Sequence, residues 1–516
     1  MRRLFREVPL ILGVTLGVAG LWWHGRAFVA MDWPAGFDWE RYLRETWAYW
    51  HPGTMNSTWL EPLYSYILGS LGDAVGWGWA GILISSVGSV LLVLGSGILG
   101  RALGGPWVGA VAALAIPLTP QLAAAARWVN VYPALSGATA MGLGCTAALA
   151  RWPRLFWALS GGGFVGLAWA LDGRTVPLLP GLVLIGAMGA LGGQTISRRA
   201  VLAVAFGLGL MVGPASQSAL RVVPRETTTQ VAEILRGIEL SKLRVSPDPV
   251  LRSACAEEPS EVINLPGLLR PCAGALARDN AERVDHGLPF GLASTLWLLP
   301  LALLPGRLGR RQTLTAVLVF VPFVGMTLIM SRWIIVTPRY MLQLAGPAAV
   351  VVPLALWQAW GLLRRVESLH RLRAVGPLLA AAWLIRGGPN HPDTGPLEDS
   401  STYQMMKPVV AYIANEVGPG EVLLDCSESH IEVAILPRVT HGGAPNHEGH
   451  DWARCAQWLQ DPDGSGEAHI VVGDRTQIPT LRGLSVPPPW SESLRTVGQG
   501  QTLRIWTLTE NFNREP

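Results

Sequence analysis

A polytopic α-helical integral membrane protein, with about eleven transmembrane helices and a small α/β domain at its C-terminal end, is the fold class this sequence predicts. Three observations carry the prediction. Half of the 516 residues are hydrophobic and only 15% are charged, which excludes an ordinary soluble globular chain. Apolar runs of membrane-crossing length recur from residue 8 to residue 387, after which the sequence is polar. Arginines collect in every second loop between those runs.

A bilayer core of ~30 Å needs roughly 20 apolar residues per helix. The spans read from the sequence are 8–30, 76–100, 105–123, 131–150, 154–171, 175–194, 200–219, 288–306, 312–331, 341–363 and 374–387, of which 154–171 and 374–387 are short. With the N-terminus inside, the cytoplasmic segments carry Arg2, Arg3 and Arg6, then Arg101, Arg151 with Arg154, Arg198 with Arg199, Arg307 with Arg310 and Arg311, and Arg364, Arg365, Arg371 and Arg373. Every cytoplasmic turn is then basic, as the positive-inside rule requires. An odd number of spans leaves the C-terminal domain outside the plasma (inner) membrane. Lys242 and Lys407 are the only lysines, and a formal charge of +4 gives no reason to expect nucleic acid as a partner. The first span shares its basic start with signal peptides, but "AFVAMD" sets Phe28 where cleavage needs a small residue, so the span is read as retained.

This topology divides the chain into a membrane domain, 1–387, and an exoplasmic α/β domain, 388–516. The membrane domain exposes a first outer loop, 31–75, and a middle outer loop, 220–287. Cys255 and Cys272 fall in the middle loop and Cys426 and Cys455 in the C-terminal domain, as suits an oxidising compartment, whereas Cys145 lies within a span. The local pairing, 255–272 with 426–455, is one of three connectivities, and free thiols are the alternative. In the middle loop, Val231, Ile234, Leu235 and Ile238 share one helix face. In the C-terminal domain the pattern predicts a helix over 402–416, stopped by "GPG", and strands at 421–424, 467–474 and 502–509.

The first loop holds the densest chemistry. In "FDWERYLRETWAYW", Asp38, Tyr42 and Glu45 follow at i, i+4 and i+7, one face of a short amphipathic helix at the membrane interface. A partly desolvated Asp38 there is suited to act as general base toward an acceptor hydroxyl or amine. The same aspartate is equally suited to cap the helix N-terminus, and the two roles are compatible. Trp33, Trp39, Trp47, Trp50 and Trp59 either stack on sugar rings and line a lipid groove or form an interfacial aromatic belt.

A first span, a loop opening with Asp38 in a D-x-x-x-Y turn, and then "EPLYSYILG" at 61–69 resemble the start of the C superfamily of membrane glycosyltransferases (GT-C). Protein mannosyltransferases and lipid A aminoarabinose transferases belong to it. "GLAWALDGRTVPLLPGLVL", 166–184, is similar to the family's Gly-rich span that ends in a basic residue, and "TPRYMLQLAGPAAVVVPLAL", 337–356, to its Arg-Tyr-led late span. The resemblance implies a polyprenyl-phosphate-linked sugar donor, a lipid, glycan or protein acceptor in the envelope, and catalysis by Asp38. Arg174 and Arg339, at outer ends of spans, are then the residues that bind the donor phosphate through paired hydrogen bonds. Snorkelling to the lipid headgroups is the other reading of both arginines. Asp172 orients or neutralises Arg174, and Tyr42, Glu61, Tyr64 and Tyr340 are the remaining substrate-binding candidates.

The sequence departs from the family at "ARWVNVYP", where Asn130 stands near the place of a second acidic residue. Without that carboxylate a divalent cation is poorly held, so neither a metal nor any other cofactor is predicted. His441, His447, His450 and Asp451 could supply zinc ligands, but their spacing fits no standard site and reads as a surface loop. The sequence therefore leads to an inverting glycosyltransferase. A transporter or flippase of a lipid-linked intermediate is the alternative, weakened by spans with little midplane charge and no repeat. A catalytically inactive scaffold of the same fold is the third reading, kept open by Asn130.

Overall fold

The computed structural model describes residues 2–29, 46, 62–75, 77–126, 129–172, 175, 178–192, 195–219, 287–304, 308–331, 342–363, 422–425, 468–473, 490–497 and 501–508. The chain divides into two compact units. The first comprises 1–30, 61–63 and 82–392, and the second 31–60, 64–81 and 393–516.

The helices are α1 (Arg2–Val29), α2 (Pro62–Val75), α3 (Trp77–Leu103), α4 (Pro106–Ala115), α5 (Pro120–Ala125), α6 (Val131–Arg151), α7 (Leu155–Leu171), α8 (Leu179–Leu191), α9 (Ile196–Leu210), α10 (Val212–Ala219), α11 (Leu292–Ala302), α12 (Arg310–Ser331) and α13 (Ala345–Leu363). Among the described residues, four helical stretches are long and apolar enough to cross a membrane by length and composition: Trp79–Leu103, Val131–Arg151, Ile196–Ser216 and Leu342–Gly361. Helices accompany each expected span up to 363, while 374–387 lies outside the described residues.

The span expected over 105–123 is two helices, α4 and α5. Pro117 and Pro120 supply no N–H for a continuous ladder, and the Thr119 hydroxyl instead donates to Ala115 O at 2.9 Å. Between α3 and α4 the chain turns at Gly105, whose φ of 106° a side chain would oppose. The segment 62–75, expected as part of a loop, is helical from Pro62, a residue whose missing N–H costs nothing in a first turn.

In the first unit the helices approach to backbone contact through small residues. Along α3 and α6, a Cβ on Gly88 would lie 2.4 Å from Pro133 O, one on Gly137 2.1 Å from Gly88 O, and one on Gly144 2.6 Å from Gly95 O. On α1, a Cβ on Gly13 would meet Ala110 Cα of α4 at 2.5 Å and one on Gly17 would meet Ala113 O at 2.9 Å. Gly162 and Gly166 of α7 stand in the same relation to Phe206 and Leu210 of α9. In an apolar solvent, burial of apolar area gives little association between helices, so close packing of small faces takes over that role.

The second unit contains a four-stranded sheet of β1 (Val422–Asp425), β2 (Ala468–Gly473), β3 (Trp490–Val497) and β4 (Gln501–Leu508), in the order β1-β2-β4-β3. β1 and β2 are parallel, with Val422 opposite Ala468; β4 is antiparallel to β2 and to β3, with Ile470 opposite Trp506 and Ser493 opposite Ile505. Three of these strands match the expected ones to within a residue, and β3 was not anticipated. The helix expected over 402–416 lies outside the described residues, as do Cys255, Cys272, Cys426 and Cys455; Cys145 is a buried free thiol.

Candidate functional site

In the part of the first loop before α2, Thr46 is described: it is helical, buried, and its hydroxyl donates to Ser65 Oγ at 3.4 Å. This bond ties Thr46 to α2, at the residue next to Tyr64. Tyr64 is fully buried, and the loss of hydration raises the pKa of its phenol. It is therefore a neutral, enclosed phenol rather than an open surface group. Asp38, Tyr42 and Glu61 lie outside the described residues, as do Arg174, Arg339 and Tyr340.

The sense of the helices locates the sequence neighbours of those arginines. A Cβ on Gly142 would meet Val165, and one on Gly161 would meet Thr146, so α6 and α7 run antiparallel. Asn130, before α6, and Asp172, after α7, consequently lie at the same end of the pair. A Cβ on Gly346 of α13 would meet Ala140 Cβ at 2.9 Å, and Leu354 reaches toward Gly104, so α13 runs in the same sense as α6. Gln343, in the helical turn that leads into α13, lies on the Asn130 side of that contact, about two turns inward from Asn130. Asp172 is two residues from Arg174, and Gln343 is four from Arg339.

At that end the polar groups have assignable tasks. Asn130 is fully buried and is the N-cap of α6: its Oδ1 accepts from the Tyr132 N–H at 3.1 Å. Asn130 thus serves the helix. Asp172, 9% exposed, ends α7, and its carbonyl accepts from Thr175 N at 3.2 Å and Thr175 Oγ1 at 2.9 Å. Gln343 is 3% exposed, and its Oε1 has no hydrogen-bond partner among the described residues. The sequence reading passed over Gln343 because a single glutamine in an apolar run matches no motif.

The opposite end is basic. Arg101 Nε and Nη2 donate to the two oxygens of Glu7, both at 2.7 Å, and the bonded guanidinium lowers the Glu7 carboxyl below its ordinary range. Arg151 Nη1 donates to Arg101 O at 2.8 Å and Ala102 O at 2.7 Å, and Gln312 Nε2 donates to Ala102 O and Leu103 O. These donors close the last carbonyls of α3, which have no partner within the helix. Arg101 and Arg151 also stack on the Trp152 ring at 4.2 and 4.9 Å, and Arg198 Nη2 donates to Pro153 O at 3.1 Å. Among the described residues no three His, Cys, Asp or Glu side chains group as a metal site, and His441, His447, His450 and Asp451 lie outside them.

No family model matches the chain, and no curated protein matches it by sequence. Its fold does match solved structures. ArnT from Cupriavidus metallidurans in the apo state superposes with a TM-score of 0.54 at 13% identity, over 98% of this chain and 99% of that one. The same ArnT bound to undecaprenyl phosphate gives a TM-score of 0.53 at 13% identity, with the same coverage. Across almost its whole length, the chain has a polytopic helical membrane fold similar to that of ArnT.

Proposed function

We propose that this protein is a membrane glycosyltransferase that moves a sugar from a polyprenyl-phosphate donor to an envelope acceptor on the outer face of the plasma membrane. The observation that carries this reading is the likeness to ArnT along nearly the full chain, including a form of ArnT bound to undecaprenyl phosphate. The arrangement of the helices also supports it. Asp172 and Gln343, the described neighbours of Arg174 and Arg339, lie toward one end of the helices, and the Arg101, Arg151 and Arg198 turns lie at the other. Loops rich in arginine favour the cytoplasm, so the first end is the outer one, where a lipid phosphate sits.

In this reading Asp38 takes the proton of an acceptor hydroxyl or amine. The acceptor atom then forms a bond to the anomeric carbon as the bond from that carbon to the phosphate oxygen breaks, with inversion. The electron pair leaves on the polyprenyl phosphate, whose charge Arg174 and Arg339 stabilise. Tyr42, Glu61 and Tyr340 contact the donor and acceptor in this reading, which requires no metal, whereas the fully buried Tyr64 supports the fold rather than touching substrate. The role of Asn130 as a helix cap accounts for its presence without invoking an inactive scaffold.

Mass spectrometry of envelope lipids and glycoconjugates from a deletion strain, complemented with wild type or with Asp38→Asn, tests the reading. A sugar modification lost on deletion and restored by wild type alone is the expected result. Full restoration by Asp38→Asn at equal expression removes Asp38 from the chemistry and favours a transporter or scaffold.

A further inference from the structure

We infer that Gln343 is a sugar-recognition residue, its side-chain carbonyl accepting a hydrogen bond from a hydroxyl or amine on the donor's sugar ring; this rests on the glycosyltransferase reading above. Gln343 is 3% exposed, yet its Oε1 meets no donor among the described residues. An unmet buried acceptor is unfavourable and is retained where something else completes it. Thr139 and Thr146 also carry unpartnered buried hydroxyls, but a hydroxyl turns on its own bond, whereas an amide oxygen is fixed by the packing of the whole side chain; Gln121 Oε1 is unpartnered too, but Gln121 as a whole is only half-buried.

The backbone beside Gln343 is closely packed. Gly346, three residues on, is held against Ala140, with Ser96 Oγ 3.6 Å from where a Cβ would stand. The backbone that carries Gln343 is therefore set close against α6. The chemistry of the missing partner follows from the atom: a carbonyl oxygen accepts, so its ligand must donate. An ionised phosphate offers only acceptors, and a polyprenyl chain offers neither. The sugar ring is the part of the donor with O–H or N–H groups, and Gln343 stands four residues beyond Arg339, the candidate phosphate ligand.

The test uses the full-length protein in nanodiscs, as wild type and Gln343→Met, which keeps the length of the side chain and removes the acceptor. Thermal unfolding and binding are measured alone, with undecaprenyl phosphate, and with undecaprenyl phosphate carrying mannose or 4-amino-4-deoxyarabinose. The expected result is an unliganded Tm for Gln343→Met equal to or above that of wild type, equal binding of the bare lipid phosphate, and roughly tenfold weaker binding of the sugar-bearing lipid. A lower unliganded Tm overturns the inference by making Gln343 a packing residue, and unchanged affinity for the sugar-bearing lipid overturns it directly. If wild type binds the bare lipid but gains nothing from either sugar, sugar recognition by Gln343 fails while the donor reading stands. If wild type does not bind undecaprenyl phosphate at all, both fail together.

Discussion

Replacing Gly137 by alanine adds one methyl group where the α3 and α6 backbones touch, and it is the sharpest available test of how the membrane unit is held together. The new Cβ would lie 2.1 Å from Gly88 O, about 0.9 Å inside the 3.0 Å limit that real Cβ contacts respect. The obstacle is a backbone carbonyl, so no side chain can rotate away, and the helices must separate by a comparable distance. Gly88 against Pro133 and Gly95 against Ala140 lie along the same seam, and a gap of ~0.5–1 Å forfeits roughly a quarter to a half of each contact there. Overpacking of this kind costs about 1–3 kcal/mol. Gly163→Ala, on α7, is the matched control, because nothing stands within 4 Å of its Cβ position. Both substitutions gain the same helix propensity, about 0.5–1 kcal/mol, so the difference between them isolates the clash. Reversible unfolding in detergent, followed by intrinsic fluorescence, should show Gly137→Ala less stable than Gly163→Ala by about 1–3 kcal/mol. Equal stability of the two variants would refute the claim that direct backbone contact between α3 and α6 supports the fold.

Two further outcomes follow from the ends of the helices. Glu7→Gln should cost about 1 kcal/mol or less at neutral pH, since the pair is only partly enclosed, with side-chain exposures of 25% and 33%. Its folded-state pKa is lowered, so its contribution is full above the ordinary value of 4.5 and disappears as pH falls through the folded-state value; unfolding curves of wild type and Glu7→Gln should converge in acid and diverge near neutrality. Asn130→Ala should lose about 0.5–2 kcal/mol and Asn130→Ser much less, because serine can still accept from the Tyr132 N–H; thermal shifts that rank the two alike would remove the capping role.

The cap at Asn130 shows where sequence reading reaches its limit. In the sequence it stood only as the residue in place of a missing carboxylate; its task became visible once the backbone turned into α6 and presented the Tyr132 N–H to it. Gln343 was illegible for a related reason, since a lone polar residue signals nothing until its burial and missing partner are known. The break between α4 and α5 was legible in principle from Pro117 and Pro120, but the apolar run across them dominated the reading. Strand β3 carries apolar residues at Trp490, Leu494 and Val497 without strict alternation, and its ladder with β4 supplies the definition that its own pattern lacks.

By itself the sequence determined the membrane class, the order of most of the apolar helices and the presence of arginines in every second turn, because a bilayer imposes a fixed apolar length on each crossing. Those are local constraints, written in consecutive residues. Only the tertiary structure decided which glycines meet across α3 and α6, that Arg151 and Gln312 close the end of α3, and that Asp172 and Gln343 lie toward the Asn130 end. These depend on residues tens to hundreds of positions apart, held at distances that hydropathy does not encode and that close packing between small faces does.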